Sequence, residues 1–592
     1  FKTLTRMLDY LEALGIYNLY ILPHYESPNG DAGYDISDYR PAKAFGGMPA
    51  FKAFIKAATL RGFRVATDLV FNHTSAQHEW FLKALKGNSQ YFDYYLKCPR
   101  HWDQLPLNEM LRDEAGDLYL YLPEKDENGA AVTSKRILIF PDVDQTLWLK
   151  QEVAGLDEPA LFYREFYPFQ VDLDLQNPKV IDELFRFLGE EISLGVLGKR
   201  TDAIAHWVKK PGTNAKDLPE TYALQKLIKQ FLKHISPKTI VLPEVVTDSL
   251  ALKGYAGEAT RIKGLPTTTG GDALLDFQLQ GMLREMLYFQ KTTPFWTQVH
   301  ERGEEGTNTA VPLLPIEHHD ETYMGFFQEL EAMRDYIKDR YIYLDPKKGY
   351  ASAQRGIIYK NGMSGGARYA ECLNRDERRI ATAFFCLYLM PATPVIYYGT
   401  EIGAVNQWTQ MHERQQAQFD SLHNLLGPEL VGPGKAIDFE KCEDPRELQR
   451  GPIAEHVFFS ALDQGYPAIA VLQALNALRH QWSALRNFKL THLDTGHESL
   501  LAMVRYPDFG VEESPLLGLA NLSEQALEMQ IPAWQFWERL PQSKGTFREL
   551  LSQEGPSPIE AKVVVEEKTV QPTWGELVRI HMPPYSFKLW AL

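Results

Sequence analysis

In Arg64-Val-Ala-Thr-Asp-Leu-Val-Phe-Asn-His-Thr-Ser75, residues 64–71 are an apolar strand interrupted by Asp68, with the polar pair Asn72 and His73 at its end. Just upstream, Phe51, Phe54, Ile55 and Ala58 recur at helical spacing, and Gly62 stops that helix. The same grammar appears one unit earlier. Leu4, Leu8, Leu11 and Leu14 form a helical face, Gly15 ends it, and residues 17–22 read as a buried strand. Downstream it resumes with Val180, Leu184, Phe187 and Leu188, then a strand over 196–203. Leu224, Leu227, Ile228, Phe231 and Ile235 follow, then a strand over 239–244. Residues 273–279, 310–316 and 394–398 are further strand candidates. Helices alternating with short apolar strands predict parallel βα units, and this many predict an α/β fold closed as a (β/α)8 TIM barrel.

Residues 75–172 interrupt the alternation and are too long for a loop without structure of its own. They are expected to form an inserted rim domain, domain B, between barrel parts at 1–74 and 173–494. A second rim insertion is expected at 321–378, carrying Tyr336, Tyr341, Tyr343 and Tyr350. Residues 406–450 are polar, contain Gly427-Pro428 and Gly432-Pro433, and read as a long rim loop. From 495 to 592 the pattern becomes short strands with turns, which predicts a C-terminal antiparallel β-sandwich.

The 592 residues carry 62 Lys+Arg against 77 Asp+Glu, a net charge of −15, which argues against a nucleic-acid-binding surface. No apolar run is long enough to span a bilayer. Four cysteines, Cys98, Cys372, Cys386 and Cys442, lie far apart without zinc-ligand spacing and fit a reducing, cytoplasmic setting. Nothing in the sequence specifies an oligomeric state. Aromatics reach 12%, and those in the two insertions are placed where they could stack on sugar rings.

Charged side chains recur at the C-terminal ends of the strands. Asp68 and His73 belong to one, Arg200 and Asp202 to the next, Glu244 to a third, and His319 and Asp320 to a fourth. On a closed barrel these ends converge on one mouth. Glycoside cleavage gives converging carboxylates distinct tasks. One attacks the anomeric carbon while a second, kept protonated, donates to the leaving oxygen; in the retaining version they stand about 5–5.5 Å apart. Arg200, on the same strand face as Asp202, is suited to holding a nucleophile ionised.

These segments resemble the α-amylase superfamily, glycoside hydrolase family thirteen. Asp68-Leu-Val-Phe-Asn-His73, Lys199-Arg-Thr-Asp-Ala203, Glu244 and His318-His-Asp320 match its four signatures in order. Gly33-Tyr-Asp-Ile-Ser-Asp-Tyr39, Phe169-Gln-Val-Asp-Leu-Asp174 and Thr393-Pro-Val-Ile-Tyr-Tyr-Gly-Thr-Glu-Ile-Gly403 are similar to further family segments. The resemblance implies Asp202 as nucleophile, Glu244 as general acid/base and Asp320 as the carboxylate that binds and distorts the sugar. It implies Tyr34, Asp35, His73, Arg200 and His319 around that sugar, and His206 near the next one. Lys199, His318 and Thr400 depart from the usual pattern. The family's first barrel strand normally precedes the helix that begins here near Thr3, so seven strands are recognisable.

Residues 336–346, with Gly356-Ile357 and Asp376-Glu-Arg-Arg-Ile380, are similar to trehalose synthases. Phe166-Tyr-Pro-Phe-Gln170 looks like that group and its α-glucosidase relatives, and Asp217-Leu-Pro-Glu-Thr-Tyr222 resembles amylosucrases. The expectation is therefore a retaining α-glycosidase or transglucosylase on maltose, sucrose, trehalose or malto-oligosaccharide substrates. The alternatives are an endo-acting α-amylase on starch or glycogen, and a catalytically weak carbohydrate-binding or chaperone-like relative. No cofactor is required. Many members hold a structural calcium between the Asn72 segment and the inserted domain, so the resemblance admits a calcium site near Asn72.

Overall fold

The computed structural model describes residues 1–97, 110–112, 118–126, 128–139, 146–246, 249–302, 310–320, 322–323, 332, 358–359, 364–365, 367–442, 444, 446–532, 534–535, 546–553, 567–569 and 577–592. Seven strands carry the first two-thirds of the chain: β1 (Asn18–Ile21), β2 (Arg64–Leu69), β3 (Gly198–Thr201), β4 (Ile240–Pro243), β5 (Ala273–Leu275), β6 (Val311–Pro315) and β7 (Thr393–Val395). They pair in parallel as β1-β2-β3-β4 and as β5-β6-β7. The two sheets adjoin where the Asp272 backbone N–H donates to Val241 O at 2.8 Å. Ala66, Leu242 and Ala273, with Tyr20 and Leu313, form a small cluster shared by β1, β2, β4, β5 and β6. Side chains from strands of both sheets thus meet in one cluster. At Gly198 a Cβ would stand 2.6 Å from Ala66 Cβ, so this start of β3 tolerates only glycine without a shift.

Helices cover the outer faces because their apolar stripes have nowhere else to go. They include α1 (Lys2–Ala13), α2 (Gly47–Leu60), α3 (Pro178–Leu194), α4 (Pro219–Ile235), α5 (Phe277–Phe289) and α6 (Glu377–Leu389). The α3 ends follow from sequence: Asn177 Oδ1 accepts from the Lys179 N–H, Pro178 occupies the first turn, and Gly195 leaves at φ 107°. Between β2 and α3, His73–Ser75 pairs antiparallel with Gln170–Asp172, which closes the base of the inserted segment.

The polar stretch 406–450 is not a loop. It holds α7 (Trp408–Leu426) and a short helix, α8 (Glu447–Arg450). Met411, Gln415, Gln418 and Leu422 are the buried residues of α7. Two of those four are glutamines, so the helical spacing carries no apolar signal. Tyr336, Tyr341, Tyr343 and Tyr350 lie outside the described residues, as do Gly356 and Ile357.

The C-terminal region is antiparallel. One sheet runs in the order Leu490–His492, Leu500–Arg505, Leu516–Asn521, Phe587–Ala591, Thr546–Gln553, Glu567–Thr569, and Leu527–Pro532 pairs with Leu577–Met582. The first of these strands starts five residues ahead of 495.

Candidate active site

The C-terminal ends of β2, β3, β4 and β6 bring Asp68, Arg200, Asp202, Glu244 and Asp320 together. Arg200 is fully buried at the centre. Its Nη1 lies 2.8 Å from Asp68 Oδ1 and 2.5 Å from Asp202 Oδ1, and its Nη2 contacts Glu244 and stands 3.8 Å from Asp320 Oδ2. Directly after Asp202 the backbone turns left-handed at Ala203 (φ 46°), and the Ala203 N–H donates to Glu244 Oε2 at 3.2 Å. A non-glycine residue in that region is strained, and here the turn points an amide at a carboxylate.

Burial pushes the Asp202 carboxyl well up; Arg200 opposes this and Glu244, Asp68 and Asp320 add to it. Burial also raises Glu244, again against Arg200 and with Asp320. Both shifts run in the direction that favours a shared proton, as expected of like charges around one buried arginine. Asp320 behaves oppositely. Burial would raise it, but His319, Arg450 and Arg446 together hold it well below the usual carboxylate range.

Tyr34 forms one wall. Its ring stacks on His319 at 5.6 Å with 8° between planes. Its hydroxyl lies 2.6 Å from His319 Nε2 and donates to Asp68 Oδ2 at 3.1 Å. Burial takes His73 down to about 4, so it is a neutral imidazole at pH 7, with Nε2 3.2 Å from Tyr34 O. Asp35 does not join the cluster. Its oxygens accept from Ser27 Oγ (2.7 Å), the Gly30 N–H (2.8 Å) and the Asp31 N–H (3.2 Å), and burial raises it to about 6. His206 sits at the edge, its Nδ1 3.3 Å from Glu165 Oε1.

Sequence reading missed several members. Arg446 and Arg450, beginning and ending the α8 turn, hold Asp320 and Asp31 as buried ion pairs. Arg450 Nη2 to Asp320 Oδ1 is 2.9 Å, Arg446 Nη2 to Asp31 Oδ1 3.1 Å, and Arg450 Nη1 to the same oxygen 3.3 Å. Gln449 and Arg450 also donate to the carbonyls of Asp320 and His319 at 2.7 and 2.8 Å. Their signal, an i, i+4 arginine pair, sits in the stretch taken for a loop.

Beside Asn72 stands Lys209. Its ammonium donates to Asn72 Oδ1 at 2.6 Å, lies 2.5 Å from Asp172 Oδ2 and contacts the His206 carbonyl. Asp172 is nevertheless raised to about 6, because burial outweighs the lysine.

Parallel βα units with carboxylates at the strand ends place the chain in the α/β class, and the comparisons narrow it. Residues 1–263 match the family model "Alpha amylase, catalytic domain". The chain is 26% identical over 549 residues to the trehalose synthase/amylase TreS of Mycolicibacterium smegmatis, covering 90% of this chain and 82% of the relative. It is 33% identical over 206 residues to the oligo-1,6-glucosidase of Parageobacillus thermoglucosidasius, covering 34% and 31%. The trehalulose synthase MutB of Pseudomonas mesoacidophila MX-45 shares the fold, with TM-score 0.63, 18% identity and coverage of 99% and 94%.

Proposed function

We propose that this chain is a retaining α-glycosidase or transglucosylase acting on short α-glucosides, with Asp202 as nucleophile, Glu244 as general acid/base and Asp320 as the sugar-distorting carboxylate. The observation that carries the reading is the grouping of these three carboxylates around Arg200, with a different charge state favoured at Asp320. Asp202 attacks the anomeric carbon while Glu244 gives its proton to the departing glycosidic oxygen; in the second half Glu244 takes a proton from water or an acceptor hydroxyl. For the acid to face that oxygen, donor entry must part Arg200 Nη2 from Glu244, leaving Nη1 on the Asp202 carboxylate.

The preference for short substrates goes with the Asp31–Arg446–Arg450–Asp320 ion-pair group, which stands on one side of Asp320. It agrees with relatives named trehalose synthase, oligo-1,6-glucosidase and trehalulose synthase. The seven parallel strands are read as part of a (β/α)8 barrel, with 75–172 as its inserted domain and 495–592 as its C-terminal sandwich. Near Asn72, Lys209 supplies the positive charge within the protein, so those oxygens are already engaged and do not fit a calcium ion.

The test is the product profile on maltose, sucrose, trehalose and soluble starch, compared with Asp202→Asn. Glucose, transfer products or an isomeric disaccharide from the short substrates, lost in the variant, support the reading. Rapid mid-chain thinning of starch supports an endo-amylase instead. Equal rates for both proteins support a binding protein.

A further inference from the structure

His318, His319 and Asp320 each offer one ligand atom, and the three atoms lie within 4.8 Å of one another. We propose that they form a site for a borderline-soft divalent cation of the Zn²⁺ type, whose binding reversibly closes the sugar end of the active site. The arrangement is held locally. The Asp320 N–H donates to His318 Nδ1 at 3.1 Å, and His319 Nε2 lies 2.9 Å from Asp320 Oδ2. The Phe277 ring meets His318 edge-on at 5.3 Å, and the backbone at 319 and 320 is fixed by Arg450 and Gln449.

The donor chemistry selects the ion. Two imidazoles and one carboxylate suit zinc, copper or nickel, whereas calcium and magnesium require mostly oxygen ligands. Three protein ligands with a fourth position left to water is a common zinc arrangement. With bonds of about 2.0–2.2 Å, a tetrahedral ion needs its ligands about 3.4 Å apart, so side-chain shifts of about 1 Å complete the site.

The two oxygens of Asp320 divide their partners. Oδ1 takes Arg450 at 2.9 Å and Arg446 at 3.5 Å, whereas Oδ2 faces His319, with Arg200 3.8 Å away. The ion can therefore use Oδ2 without displacing the α8 arginines. Asp31, Asp68, Asp202 and Glu244 lie among the same guanidiniums and offset their positive charge. Occupancy removes His319 and Asp320 from the sugar, so inhibition is competitive with the donor. Because ligating imidazoles must be unprotonated, binding weakens as pH falls.

The discriminating variant is His318→Asn. An Asn at 318 can accept the Asp320 N–H through Oδ1 as His318 Nδ1 does, keeping the turn while removing an imidazole. Co²⁺ is titrated into the full chain in a non-coordinating buffer, reading the visible absorption of tetrahedral Co²⁺. Zn²⁺ is titrated against hydrolysis of a 4-nitrophenyl α-glucoside.

The expected result is a Co²⁺ band in the parent that Zn²⁺ abolishes, and Zn²⁺ inhibition reversed by EDTA. In His318→Asn the band is lost and the half-inhibitory Zn²⁺ concentration rises at least tenfold, since even outer partners of a metal ligand are worth about 10–100-fold in affinity. Equal Co²⁺ spectra and equal Zn²⁺ sensitivity in both proteins would overturn the site, as would no Co²⁺ band in the parent. The Co²⁺ arm requires no glycoside chemistry, so failure of the proposed function and failure of the metal site remain distinguishable.

Discussion

Asp202 and Glu244 are both raised by burial, and the sign of each shift sets the pH dependence. As the proposed nucleophile Asp202 must be ionised to attack, so its raised pKa moves the acid limb of activity to higher pH. As the proposed acid Glu244 must be protonated to donate, so its raised pKa moves the alkaline limb up as well. The profile of kcat/KM on a disaccharide is therefore expected to lie above the ordinary carboxylate range near pH 4. Glu244→Gln is expected to lower kcat on disaccharides by about 10²–10⁴. It should lose far less on a glucosyl fluoride, whose leaving group needs no proton, and the alkaline limb should vanish there. An unchanged alkaline limb would remove Glu244 from its role. Lys209 makes a separate prediction: dialysis against EDTA leaves the Tm and the rate unchanged. A calcium-dependent Tm would show that the ammonium does not replace the ion.

Two elements fix the site from behind and from the side. Lys199, next to Arg200 on β3, points outward to α3, where its ammonium contacts Glu191 and donates to Thr67 Oγ1 at 2.7 Å. His24 Nε2 lies 3.1 Å from Glu191 Oε1. Burial would raise Glu191, but Lys199 and His24 outweigh it and bring it to about 2. A depressed folded-state pKa contributes stability above the unfolded value near 4.5, lost as pH falls toward 2. Lys199→Met strands a buried carboxylate and is expected to cost about 3–5 kcal/mol in urea unfolding. Lys199→Met/Glu191→Leu should recover most of that and flatten the acid side of the stability curve; equal losses in both would contradict the pairing.

On the other side, Arg450→Ala removes one of the two α8 guanidiniums on Asp320. It is expected to reduce kcat/KM on short glucosides about 10- to 100-fold, about 1.4–2.7 kcal/mol. The strands and their terminal carboxylates were legible because a charge at the end of an apolar run stands out. The α8 arginines, Lys209, Glu165 and Glu191 were not, because a buried ion pair has the composition of a solvated surface. Its partners come from elements far apart in sequence, as Asp31 and Arg446 do.

At the scale of the whole molecule, the C-terminal sheet is welded to α6. Phe385 stacks on Phe587 at 4.4 Å, Thr382 Oγ1 donates to Tyr585 O at 2.8 Å, and Arg505 Nη1 donates to Leu389 O at 2.5 Å. Phe384, Phe385 and Leu389 share one apolar cluster with Leu501, Leu516, Leu551 and Phe587. A chain cut after residue 489 exposes that face and is expected to aggregate or melt without cooperativity; a soluble product with native near-ultraviolet dichroism would contradict this. The C-terminal antiparallel sheet and α6 thus share one apolar core. The proposed chemistry converges on a covalent sugar at Asp202. The direct measurement is peptide mass mapping after incubation with a slow fluorinated α-glucosyl fluoride. A single fluoroglucosyl adduct on Asp202, absent from Asp202→Asn, is predicted; turnover without any adduct, or an adduct on another carboxylate, would contradict it.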